Sequence, residues 1–449
     1  MTVIELGLVT DGGDPPAGPA RRPLRRDDVR RILAAVVVAL CALTLTSSGL
    51  PESHAPRQLW TVPFQQDGDA FTVTGDAVYL LHKSGSTSLT AYGLGDGKPM
   101  WSLPDVGDAS SFGSVESGVM LLPAADAVVQ IPNDEGHQLY RAFTRETVAV
   151  DAVTGRQLWR RPGEFAGTSD GRVLLIEWQA DGNAVRTLTV LGLRDGAPIW
   201  SRSAGGVETW VARGILEAGA DRLLTVTPQG RVTVYDVADG RKVATGKMPW
   251  HDGAGDDGSY TNTVVDRHMF VVENVREGDG TITAYDTETL RRKWQITDRS
   301  YGVSVPCGQV FCVTGRTGIS GYDRESGALR WQAGDVTSVL SLGPDRLLAT
   351  DERAAAQHSL IDSATGRRIA DLGNTSLVWD RSAPTAGNVY VLKRTEQPTG
   401  VMSVGLLDLR DGEIQVRGTI EPVADYGCLA SGHLLACVTR DGLTVTDVG

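Results

Sequence analysis

The sequence predicts an all-β fold: a β-propeller of four-stranded antiparallel blades over residues 58–449, preceded by one transmembrane helix. Three observations carry this. A phrase of β-forming residues, a turn ending in Gly, and then Trp recurs eight times along the chain. The phrase position advances by 37 to 58 residues, mostly near 40–50, a period that marks propellers and arrays. The chain also ends three strands into a unit whose fourth strand stands at the front, as QLWTVPF over 58–64.

The phrase is a hairpin. Its copies are TAYGLGDGKPMW (90–101), VAVDAVTGRQLW (148–159), TVLGLRDGAPIW (189–200), TVYDVADGRKVA (233–244), TAYDTETLRRKW (283–294) and SGYDRESGALRW (320–331), with SLIDSATGRRIA (359–370) and GLLDLRDGEIQV (405–416) as weaker ones. Alternation such as Val148 and Val150 suits a half-buried strand. Asp ends the strand by accepting turn N–H groups, and Gly takes a positive φ that other residues reach only at a cost. The structural glycines are Gly97, Gly155, Gly196, Gly240, Gly327, Gly366 and Gly412. The tryptophans, expected to fill the wedge between neighbouring sheets, are Trp60, Trp101, Trp159, Trp200, Trp294 and Trp331.

Two further short strands precede each phrase, for instance FTVTG and AVYLLH within 71–82. A unit therefore holds four antiparallel strands. Such a sheet cannot bury both faces alone, and radial stacking covers the faces while protecting the edges. The count is eight whole units plus one split unit; eight blades is the expected number and nine the alternative.

The pattern D-x-x-[TSD]-G-x-x-x-W resembles the quinoprotein-type, pyrroloquinoline-quinone (PQQ)-like propeller repeat. The same repeat builds the propeller lipoprotein of the outer-membrane β-barrel assembly machinery. Departures occur where Leu290 replaces Gly, where Ala244, Ala370 and Val416 replace Trp, and where Gly93 and Gly192 replace Asp. The resemblance raises a PQQ-dependent dehydrogenase as an alternative. Enzymes of that kind share adjacent cysteines beside the quinone and a Glu, Asn and Asp set for calcium. This chain has no adjacent cysteines, and packing explains its repeat tryptophans.

Other chemistry is sparse. The seven histidines are scattered without metal-site spacing, and the acidic loop DGAGDDG (252–258) lacks the order of a calcium loop. No catalytic residue, cofactor or metal ligand is expected. Formal net charge is −12, which argues against nucleic acid as a partner.

The N-terminus sets the expected compartment. Six arginines between Arg21 and Arg31 precede an apolar run from Ile32 that continues to Leu50. Its length is close to the ~20 residues of a spanning helix, and flanking arginines hold that end in the cytoplasm. The expected organisation is a cytoplasmic disordered tail (1–31), a signal anchor (32–50), a linker (51–57) and an extracytoplasmic propeller (58–449) on a single-pass membrane protein. Cleavage of the run and lipidation at Cys41 are the alternatives. Outside the run the cysteines number four, and an even number in an exported domain suggests disulfides: Cys307 with Cys312, and Cys428 with Cys437.

Function then points to a non-catalytic propeller that binds a protein, peptide or envelope ligand. A sensory ectodomain that signals through a partner is a further alternative. In each blade the loop between strands two and three shares an end with the crossing to the next blade. The largest departures from the repeat fall there: 132–145, a predicted loop, and 249–259, with smaller ones at 274–280 and 393–400. They supply Tyr140, Arg141, Phe143 and Trp250 as candidate partner-binding residues, types enriched at binding hot spots.

Overall fold

The computed structural model describes residues 55–84, 86–132, 138–213, 221–250, 260–276, 279–298, 304–315, 317–354, 356–380 and 387–449. The expected tail, the membrane helix, residues 51–54 of the linker and the acidic loop 252–258 lie outside them. No described helix is long and apolar enough to cross a membrane.

The described residues form nine four-stranded antiparallel sheets, each one blade. Blades 1 to 8 run in chain order over 70–103, 114–162, 164–207, 209–247, 260–298, 304–333, 338–373 and 376–420. Blade 9 takes Val423–Ser431, Leu434–Thr439 and Gly442–Asp447 from the C-terminus, and Arg57–Val62 from the front as its outermost strand. The blade number is thus nine rather than the expected eight, because the split unit forms a complete blade of its own. Past a register shift between Gln58 and Trp60, Trp60 stands opposite Val445 and Val62 opposite Leu443.

The core is a ring of inter-blade layers. Each successive pair of blades shares one apolar cluster, and the last of these joins Val78 and Leu94 of blade 1 to Ala436, Val438, Leu443 and Val445 of blade 9. The innermost strands of blades 9 and 1 also touch, so the ring is closed. Two disulfides tie the innermost strand of a blade to its neighbour, Cys307–Cys312 in blade 6 and Cys428–Cys437 in blade 9. The second joins residues directly opposite in the ladder.

The repeat tryptophans connect blades in a specific way. Each sits in an outermost strand and donates its indole N–H to a turn carbonyl of the next blade. Trp60 bonds Leu94 O (2.9 Å), Trp101 bonds Ala152 O (3.0 Å) and Trp159 bonds Leu193 O (2.9 Å). Trp200, Trp294 and Trp331 do the same to Val237, Arg324 and Ser363. The acceptor is always the residue after the repeat Asp, or after Gly93 and Gly192 where these replace it. The turn glycine then lies flat on the indole. A Cβ on Gly155 would stand 2.4 Å from the Trp101 ring, and Gly155 has φ 72°. Glycine is required there twice, for its backbone and for the close approach.

Two of the three replacements of the repeat Trp are compensated across the blade boundary, while the third, Val416, is 68% exposed. Blade 4 has Ala244 in place of Trp, and blade 5 has Leu290 in place of the glycine that would face it. Leu290 keeps the positive φ of the turn (55°) and joins the cluster that holds Ala244. At blade 7 Ala370 replaces Trp, and Gly412 of blade 8 lies against the Ala370 Cβ. There Arg346, from the second strand of blade 7, donates to Leu409 O at 2.5 Å, the carbonyl a tryptophan would bond. Arg222, at the equivalent point of blade 4, bonds the Glu288 carboxylate of the next turn at 3.0 Å. Ala244→Trp or Leu290→Gly alone should each destabilise the protein by about 1–3 kcal/mol, through overpacking or a cavity. The double variant should recover most of that loss, and a double-mutant cycle in urea measures the coupling.

The turn carboxylates are similarly committed. Asp323 Oδ1 accepts from Glu325 N, Ser326 N and Ser326 Oγ, while its other oxygen meets Arg330. The Arg330 and Ser326 bonds hold its carboxyl well below the usual range. Thr365 lowers Asp362, and Arg410 brings Asp408 down to about 2. At Asp151 and Asp286 burial pushes upward but bonds from Thr154 and Thr289 outweigh it, leaving both lowered. Where Gly93 and Gly192 replace the strand-ending Asp, Asp96 and Asp195 three residues on occupy its space. A group with a depressed folded pKa contributes stability above its unfolded value of about 4 and loses it as pH falls through the folded value. Urea midpoints should therefore hold steady from pH 7 to about 5 and fall progressively between about pH 4 and 2.

Candidate functional site

One end of the ring carries the turns locked by tryptophan. The opposite end carries the loops between second and third strands, and there blade 2 departs from all the others. Its second and third strands, Val119–Pro132 and Gln138–Asp151, run 14 residues each and pair from Val119↔Asp151 to Pro132↔Gln138. The predicted loop at 132–145 is therefore mostly strand, the continuation of a hairpin that projects past its blade. Alternation over residues 127–130 and 140–144 gives the hairpin two faces.

One face packs on blade 3. Val129, Arg141 and Phe143 point to it, and Phe143 is only 7% exposed. The Phe143 ring lies 6.3 Å from that of Trp178 in blade 3, and the Arg141 guanidinium sits 4.8 Å over the same indole. Arg141 Nη1 also donates to Gly182 O at 2.6 Å. Gly182, with φ 67°, tucks against Val129, where a Cβ would meet Val129 Cγ2 at 2.3 Å. Trp178 donates its N–H to the Glu164 carboxylate at 2.6 Å. Burial pushes the Glu164 carboxyl above the usual range, against the opposing pull of Trp178 and Arg141.

The other face is open. Val128 and Tyr140 are 68% and 65% exposed, an uncommon pairing of large apolar surface on a ribbon that already uses its opposite side for packing. Between hairpin and blade 3 runs an open cleft lined by Phe143, Thr144, Arg145, Gly163, Glu177, Trp178, Gln179, Ala180 and Arg186. Glu177 and Arg186 pair at 2.6 Å on its far wall.

Of the candidate binding residues, the structure brings Tyr140, Arg141 and Phe143 onto one hairpin but on opposite faces. Only Tyr140 is presented outward. Trp250 is separate: it is half-buried, packs on the cluster between blades 4 and 5, and donates its N–H to Glu208 at 2.9 Å. Trp178, Glu164 and Arg145 were not singled out by sequence; Trp178 stands outside the repeat position, which was the available signal. Among the described residues no group of three or more His, Cys, Asp or Glu side chains is gathered as for a metal.

The fold is a β-propeller of nine four-stranded blades, and its repeat is similar to the PQQ-like one. The family model described as outer membrane protein assembly factor BamB matches residues 125–249 and 242–334, and the chain is similar to that family in its repeat. Among solved structures, BamB from Moraxella catarrhalis aligns with a TM-score of 0.45 at 16% identity, covering 87% of this chain and 99% of that one. A eukaryotic initiation factor structure aligns with a TM-score of 0.53 at 10% identity, covering 82% of this chain and 90% of that one, a likeness of fold. No curated protein matches the chain in sequence.

Phe143→Ala should free the hairpin from blade 3. Hydrogen exchange of amides 138–145 is expected to quicken at least tenfold while those of 119–122 hold. Tyr140→Ala should leave both unchanged.

Proposed function

We propose that this protein is a non-catalytic binding propeller that docks a protein or peptide partner through the projecting hairpin of blade 2. The single observation that carries the reading is the hairpin itself. It is the one blade extension of its length among the described residues, it is braced by Phe143, Arg141 and Trp178, and its outward face exposes Val128 and Tyr140. A braced ribbon with an exposed aromatic residue offers contact area at little ordering cost. The repeat resemblance to an assembly factor supports a role in handling other proteins, as an analogy of fold. In this reading the propeller works outside the cytoplasm, held to the membrane by the apolar run at 32–50, and needs no cofactor.

The test is photo-crosslinking in intact cells with a photoreactive residue at position 140, compared with position 153. Val153 is 69% exposed in the blade 2 turn at the opposite end of the ring. Position 140 should give a discrete adduct with one partner and position 153 none. Adducts from 153 with none from 140 would place docking on the wrong end.

A further inference from the structure

The outer edge of the hairpin shows what kind of segment the partner offers. In blade 2 the outermost strand, Gln157–Pro162, pairs with the third strand only over Glu146–Val150. The last bond between them runs from Gly163 N to Arg145 O at 2.7 Å, after which the chain turns away into blade 3. The third strand continues for eight more residues, Gln138 to Arg145, and over that length no described strand pairs with its outer edge. Residues two apart present their backbone groups to the same edge. With Arg145 O directed outward, the N–H and C=O groups of Phe143 and Arg141 face the same way.

This edge opens on the cleft. Its floor is apolar, from Phe143 and Trp178, and its rim carries Arg145, which is exposed and has no ion-pair partner among the described residues. Arg141 lies just along the strand, and its guanidinium is bonded to a carbonyl and stacked on an indole; it attracts the buried Glu164 carboxyl but makes no salt bridge among the described residues. Glu177 on the far wall is already neutralised by Arg186. Among the described residues the charge left over at the edge is positive, on a chain whose net charge is −12.

We infer that an extended, acidic peptide segment of the partner adds as a strand to the outer edge of residues 138–145. It would occupy the line vacated by the outermost strand at Gly163. Its backbone would pair with Arg141 and Phe143. Alternate side chains would enter the cleft over Trp178 and place a carboxylate at Arg145. Strand addition of this type takes affinity from main-chain bonds and selectivity from alternate side chains. The inference rests on the hairpin being the docking element and specifies the chemistry it receives.

The test uses the full chain and a fluorescein-labelled nine-residue peptide alternating Glu with Phe or Leu, read by fluorescence anisotropy. A second peptide has Lys for each Glu, and a third carries N-methyl groups on alternate amides along one edge, with a fourth methylated on the other edge. The acidic peptide should bind at least tenfold tighter than the Lys peptide. One of the two methylated peptides should lose binding at least tenfold while the other retains it. Arg145→Glu, at an exposed site, should leave melting unchanged and reverse the preference between Glu and Lys. Equal binding of both methylated peptides, or an unchanged preference in Arg145→Glu, would overturn strand addition with acidic selectivity. Absence of peptide binding alongside a partner adduct from position 140 would overturn this inference and leave the docking reading standing. Absence of both would remove the docking reading as well.

Discussion

The structure depends on one repeated contact, an indole laid on a glycine turn with its N–H bonded to the turn carbonyl. Four short strands cannot bury two faces, so each blade needs a neighbour, and the indole fixes where that neighbour stands. Its position in the outermost strand, at the ring periphery, holds the blade edges in register where the wedge between sheets is widest. The glycine is what lets the turn come close enough, as the 2.4 Å approach of a Gly155 Cβ to Trp101 makes plain. At two of the places where the contact is lost, the chain restores part of it by other means. Leu290 fills the space above Ala244, and Arg346 supplies the hydrogen bond that Ala370 cannot.

That contact also divides the molecule into a conservative end and a free one. Turns at the indole end are packed against the next blade, and an insertion there would lift the turn from its ring. Loops between second and third strands carry no such duty. The chain adds length at that end, and the blade 2 hairpin is the largest described addition. Bracing by Trp178, Phe143 and Arg141 converts what would be a mobile ribbon into a fixed one. A rigid element with one packed face and one open face is a sound platform for recognition.

Much of this was legible in the sequence because the repeat is a local pattern with a fixed physical meaning. Asp, Gly and Trp at set offsets identify strand, turn and wedge, and QLWTVPF at the front matches the strand missing at the end. The cysteine pairs could be read for the same reason, each spanning one hairpin. Eight whole units plus one split unit sum to nine blades, because the two parts of the split unit meet as a complete sheet. The blade 2 hairpin is hidden in the sequence by its centre, PNDEG, which is rich in turn residues, whereas the alternation on either side is the stronger signal. Burial was the larger gap. Nothing local distinguishes Phe143, which packs inward, from Tyr140, three residues earlier and outward, until the hairpin's faces are assigned against blade 3. The arginine at 346 was hidden for a related reason: its partner lies more than sixty residues away, in another blade's turn.

The ring is closed by its own first strand, with Trp60 seated on Gly97 across the seam. The most direct measurement is urea unfolding of a chain beginning at Ala55 beside one beginning at Asp67. The longer chain should unfold cooperatively and stay monomeric. The shorter one should lose stability and associate through the exposed edge of Gly442–Asp447, an unpaired strand of the kind that templates aggregation. Identical midpoints and identical monomeric behaviour would contradict a ring held shut by residues 57–62.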